Sequence, residues 1–211
     1  MNKRFTTDSM YNGKEIRIKE GTQADIKLLD AIEQSISTAL NNGAGTMLLY
    51  EMTLPKQYNQ GGGNQVFLKA QADLCKFQKR ADKSDTAPRY IGIRDLLSEN
   101  APKYKVVMFL PKETNYDKEQ FEDKANEITN GKMKNWTAFK DGDLMAMCSE
   151  KYGVEVKDVV PLNGTQEAID EAFYVASELA AVKIEPRMER TLFRSRKNNV
   201  SVQSAHLAKL E

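Results

Sequence analysis

Lys103 to Leu110, KYKVVMFL, is the stretch that decides the fold. Successive residues of an extended chain point to opposite sides, so Lys103, Lys105, Val107 and Phe109 share one face and Tyr104, Val106, Met108 and Leu110 the other. Both faces turn apolar towards the end of the segment, which predicts a central strand covered on each side. Its neighbours along the chain are of the same kind. RYIGIRD (Arg89 to Asp95) alternates, and TMLLYEMTL (Thr46 to Leu54) is rich in strand formers and closed by Pro55. GVEVKDVVPLNG (153–164) reads as one more strand, ended by Pro161 and the Asn163-Gly164 turn.

Helices separate these strands. From Thr22, set in a capping-box-like pair with Asp25, the residues Ile26, Leu29, Ile32, Ile36 and Leu40 recur at helical spacing until Asn41, Asn42 and Gly43 stop them. Val66, Ala70, Leu74, Phe77 and Ala81 define a second helix, whose outer face carries Lys69, Lys76, Lys79, Arg80 and Lys83. A third, from Asp117 to Thr129, turns Phe121, Ala125 and Ile128 inward and presents an acidic exterior of Asp117, Glu119, Glu122, Asp123 and Glu127. Asp141 to Tyr152 gives a short helix on Leu144, Met145 and Cys148, and Thr165 caps a last one with Ile169, Ala172, Phe173, Ala176, Leu179 and Ala180 inward. The expected class is α+β: a central antiparallel sheet with packed helices over 22–185, an N-terminal arm over 1–21 and a basic C-terminal tail over 186–211. The first twenty residues fit a short strand or a partner-dependent arm, and the sequence leaves both open.

Composition narrows the chemistry. The 211 residues carry 31 Lys plus Arg against 30 Asp plus Glu, a formal charge of +1, which argues against a protein that coats nucleic acid and leaves room for a local basic patch. No run approaches the roughly 18 apolar residues of a membrane span, and the N-terminus lacks the apolar core of a signal peptide, so a cytoplasmic protein without membrane contact is expected. Cys75 and Cys148 sit in apolar helical patterns and read as buried thiols rather than a disulfide or zinc site. His206 is the only histidine, which removes any centre needing two; no metal or cofactor is expected. The glycine triplet 61–63 has no following Gly-Lys-Ser/Thr and reads as a loop rather than a phosphate cradle. Trp136, in a polar context, reads as an anchor for its own loop.

The order of these elements carries a resemblance. A strand ends in Leu54-Pro55, a helix starts near Phe67-Leu68-Lys69, and the strand 89–94 leads through a loop into 103–110. The pattern closes with Ala172-Phe173-Tyr174, Ser177-Glu178-Leu179-Ala180-Ala181 and Phe193-Arg194-Ser195-Arg196. From about Leu28 to Arg196 this resembles the YagK/YfjJ-like, inovirus-type replication proteins of filamentous phages and phage satellites, which are similar to HUH endonucleases. The resemblance implies an HUH/RRM-like antiparallel sheet, a His-hydrophobe-His strand holding a divalent metal, and a helical Tyr-x-x-Lys whose tyrosine nicks single-stranded DNA.

The chain departs from that pattern at each catalytic position. The histidine pair falls on Lys103 and Lys105, whose ammonium groups have no lone pair for a metal. The tyrosine falls on Glu178 and the lysine on Ala181, and Arg194 stands where the closing motif has glycine. The resemblance therefore implies a catalytically dead enzyme, with Lys103 and Lys105 placed either to bridge Glu178 or to remain solvated. Tyr174, one helical turn before Glu178, reads as a half-buried packing residue rather than a displaced nucleophile.

Two functions are expected from this. The first is a non-enzymatic protein-binding module of a phage satellite or mobile element, whose partner is a phage structural or replication protein: a scaffold redirecting capsid assembly, or an inhibitor of a phage factor. As a scaffold it would be virion-associated. The second is an origin- or DNA-binding protein that no longer cleaves, built on Lys76, Lys79, Arg80 and Lys83 with Arg89, Arg94, Lys103, Lys105, Arg190, Arg194, Arg196 and Lys197. It requires these residues to meet on one side of the sheet and the acidic helix to lie on the other.

Overall fold

The computed structural model describes residues 4–55, 58, 62–81, 89–95, 102–112, 118–134, 153–183, 192–195 and 200–201. Its centre is an antiparallel sheet in which β7 (Lys103–Pro111) lies between β6 (Arg89–Asp95) and β5 (Ala44–Thr53). Beyond β5 comes β8 (Gly153–Pro161), and beyond β6 come β10 (Leu192–Ser195) and β11 (Val200–Ser201). The alternation of KYKVVMFL is realised as two separate cores. On one face Val107 and Phe109 join Met47, Leu49, Ile91 and Ile93 beneath α1 (Ile26–Asn41) and α4 (Gln166–Ala176). On the other, Tyr104, Val106, Met108 and Leu110 join Leu48, Tyr50 and Tyr90 beneath α2 (Gly63–Ala81) and α3 (Lys118–Lys134). The α+β class with a central antiparallel sheet is what the alternating strands imply. The expected helix over 141–152, Trp136, Cys148 and His206 lie outside the described residues.

The N-terminal segment is strand rather than free arm over its described part. β1 (Phe5–Thr6) pairs with β4 (Thr22–Asp25), which pairs with β9 (Ala181–Lys183) in a second small sheet. Between them β2 (Met10–Tyr11) and β3 (Lys14–Glu15) form a hairpin that straps α1 to α4. Tyr11 donates to Asp30 at 2.6 Å and stacks on Phe173, while Lys14 bonds Glu33. Ile16 is buried in the core under α1. The helix expected from Thr22 begins instead at Ile26, because residues 22–25 are drawn sideways into β4; Asp25 takes the cap, accepting from the Lys27 N–H at 3.0 Å.

The C-terminal segment also needs correction. The tail expected over 186–211 contributes β10 to the main sheet, with Phe193 opposite Gly92 and fully buried. Its ring meets those of Phe67 and Tyr104 at 4.9 and 5.9 Å. One aromatic in a basic, polar stretch supplies this anchor, too sparse a signal for a strand pattern. Of the glycine triplet, Gly63 opens α2; a Cβ there would lie 3.0 Å from the Tyr58 carbonyl and 3.1 Å from Tyr104 Oη. That glycine serves close packing.

Candidate functional site

The face of the sheet under α1 and α4 is apolar only where those helices cover it. Further along the same strands it turns charged: Glu51 and Thr53 on β5, Lys103 and Lys105 on β7, Glu155 and Lys157 on β8. A β-bulge adds to this set. Val154 and Val156 face α3, and strict alternation would send Asp158 the same way; the register shift beside Leu49 and Tyr50 makes Lys157 the extra residue and puts Asp158 opposite Leu49. Asp158 thereby joins Glu155 and Lys157 on the charged side.

Two further groups come from outside the sheet. Glu178 lies in the 3₁₀ turn Ser177–Ala180 that follows α4, and Arg17 lies after the hairpin strap. Ser177, buried, holds both segments: its Oγ accepts from the Arg17 N–H at 2.7 Å and donates to the Tyr174 carbonyl at 2.6 Å.

The seven side chains form one alternating line. Asp158 Oδ2 is 2.9 Å from Arg17, and Arg17 is 3.1 Å from Glu178 Oε2. Glu178 Oε1 is 2.7 Å from Lys105 Nζ, which is 3.8 Å from Glu51. Lys157 then stands 3.8 Å from Glu51 and 2.7 Å from Glu155. Three cations meet four carboxylates, so the line is close to neutral. Glu178 and Lys105 keep only 17% and 21% of their side-chain surface, so their contact is better shielded than a surface pair. Burial pulls the Glu178 carboxyl upward, but the hydrogen bond and charge of Lys105, with the charges of Arg17 and Lys19, outweigh it and hold the group below its ordinary value. The Arg17 guanidinium is raised by its bond to Asp158, and the Lys157 ammonium by its bond to Glu155.

The residues expected to matter separate into three sets. Lys105 and Glu178, at the positions where the resemblance has a metal-binding histidine and the nucleophile, are in contact. The described bridge to Glu178 comes from Lys105 and Arg17. Lys103 opens β7 opposite Thr53 and Asp95, and Ala181 opens β9 opposite Ala24. These positions do not fit the divalent metal of the resemblance, since an ammonium committed to a carboxylate at 2.7 Å offers no donor pair. Among the described residues no group of three or more His, Cys, Asp and Glu converges to hold a metal ion. Tyr174 is 38% exposed, with the Arg17 guanidinium 5.7 Å from its ring centre.

The described basic residues divide between the two faces. Lys103 and Lys105 are on the α1/α4 face, whereas Lys76, exposed and 3.6 Å from Asp73, rides on α2 over the opposite face. Lys79 and Arg80 belong to α2 and Arg194 to β10, with side chains outside the described set; Lys83, Arg190, Arg196 and Lys197 lie outside it entirely. The acidic helix α3 packs beside α2 on the same face, sharing one core with it. The DNA-binding alternative requires the acidic helix on the side away from the basic residues; α3 lies opposite Lys103 and Lys105 but on the same face as Lys76. One of its acids is not exterior: Glu122 accepts from the Val156 N–H at 2.5 Å, while Asn126 accepts from the Val154 N–H at 2.5 Å and donates to its carbonyl at 3.1 Å. Cys75 is buried as expected, its thiol pushed up to about 12 by burial.

The sequence reading missed Arg17, Glu51, Glu155, Lys157 and Asp158. Glu51 carried a signal, a charge inside the apolar run TMLLYEMTL, but the bulge that turns Asp158 and the turn that delivers Arg17 leave no periodic trace. No family model matches the chain, and neither a curated protein nor a solved structure similar to it was found. Among the described residues no helix is long and apolar enough to cross a membrane.

Proposed function

We propose that this protein is a non-enzymatic binding module of a phage satellite or related mobile element, derived from an HUH-type replication initiator and acting in the cytoplasm. Its partner is a phage structural or replication protein, bound either to redirect capsid assembly or to block a phage factor. The observation that carries the loss of chemistry is the 2.7 Å contact between Lys105 and Glu178. Two positions that would have to act together in a nickase neutralise each other, and the surrounding charges are spent in the same way. A phosphodiester approaching this face meets four carboxylates and three already paired cations, a poor anion site. Near-neutral charge and the division of the described basic residues between the two faces favour a protein partner over nucleic acid.

The test is affinity capture of the tagged full chain from cells carrying the parent element and its helper phage, with and without nuclease. A phage protein retained in stoichiometric amount after nuclease is expected. Recovery of nuclease-sensitive DNA alone would overturn this reading in favour of origin binding.

A further inference from the structure

A second concavity lies at the other end of the α1/α4 face, away from the charged line. It has a volume of about 550 Å³ and runs between the C-terminal half of α1 and the start of α4. That size suits a small organic molecule rather than a macromolecular surface. Its lining is mixed: Leu40 and Ile169 offer part-exposed apolar surface, and Ser37, Asn41 and Gln166 add polar groups. Two lysines also line it and they differ in kind. Lys14 is committed, bonded to Glu33 and lying 5.3 Å over the Phe173 ring.

Lys112 is not committed. Among the described residues it has no ion-pair partner, and its backbone is fixed beside the cleft by an N–H bond to the Gly43 carbonyl at 3.3 Å. Its stem is fixed as well. A Cβ on Gly45 would come within 2.6 Å of both Cα and Cγ of Lys112, so glycine at 45 is what lets the lysine lie across the start of β5 at the cleft. A mixed lining with one available cation beside it suits an amphiphilic anion, its chain on the apolar part and its charge on the ammonium.

We infer that this cleft binds a small carboxylate with an aliphatic body, its chain against Leu40 and Ile169 and its carboxylate on Lys112. The inference does not depend on the function proposed above. The probe is sodium octanoate, followed by calorimetry and by amide shifts of the full-length protein, with 1-octanol as the uncharged comparison. Saturable one-to-one binding is expected, with shifts centred on Leu40, Gly164 and Gln166, and with octanol bound at least about tenfold more weakly. Lys112→Glu, an exposed substitution, should weaken octanoate by about tenfold or more. Ile169→Trp should abolish binding by filling the cleft, with an unchanged far-UV spectrum and melting transition showing that the fold is kept. Absence of saturable binding overturns the inference, as does octanol binding equal to octanoate, or octanoate affinity indifferent to both Lys112→Glu and Ile169→Trp.

Discussion

Tyr104 and Lys105 are neighbours in one strand, yet they close the two faces of the sheet by different physics. Tyr104 lies parallel to Phe67 with ring centres 4.3 Å apart, inside an aromatic group completed by Tyr90 and Phe193. Lys105 stands in the middle of a line of paired charges. Apolar closure is non-directional and roughly proportional to area. Charge closure depends on every member keeping its partner and its protonation state, and removing one member exposes the desolvation cost of the rest. The contrast shows that a sheet face can be shut without extending the hydrophobic core over it.

The largest effect should come from the aromatic side. Phe193→Ala removes a fully buried ring between Phe67 and Tyr104 and should cost about 3–5 kcal/mol in chemical denaturation. A loss below 1 kcal/mol would mean that β10 is not part of the cooperative unit.

On the charged side, Glu178→Ala should cost about 1–3 kcal/mol, since Lys105 retains Glu51 and Arg17 retains Asp158. A double-mutant cycle sharpens this: Glu178→Ala with Lys105→Ala should show clear coupling, and Glu178→Ala with Lys103→Ala much less. Equal coupling for the two lysines would contradict the described bridge.

The smallest effect is the dependence on pH. The folded-state value of Glu178 lies below its ordinary 4.5, so its contribution is fully present above that value and disappears as pH falls through the lower folded one. Wild-type stability should therefore fall more steeply than that of Glu178→Gln in acid, and added salt should narrow the gap between them. Phe193→Ala should show no such interaction with pH.

Much of this architecture can be read from the chain, because period-two and helical patterns report burial directly. β6, β7 and β8 fall at the expected residues, and the contact of Lys105 with Glu178 is one of the two alternatives that the resemblance left open. What escapes reading is contact without periodicity. Residues 22–24 pair with a segment some 160 residues away and carry β1 with them, Asp158 is turned by a single bulge, and Phe193 alone marks a strand in a polar stretch. Such features depend on where distant backbone is already held, which no local window contains.

The hold of α3 on β8 bears on how the protein behaves when crowded. An outermost strand ordinarily offers unpaired amides to other chains and so invites edge-to-edge assembly. Here Glu122 and Asn126 occupy the Val154 and Val156 amides and one carbonyl, standing in for the strand that would otherwise come next. A helix side chain cannot propagate a sheet, so the ladder stops there. Resistance to fibrous aggregation along this flank thus rests on one carboxylate and one carboxamide. Chemical ageing of Asn126 to aspartate would remove the amide donor to the Val154 carbonyl, loosening that protection well before global stability failed.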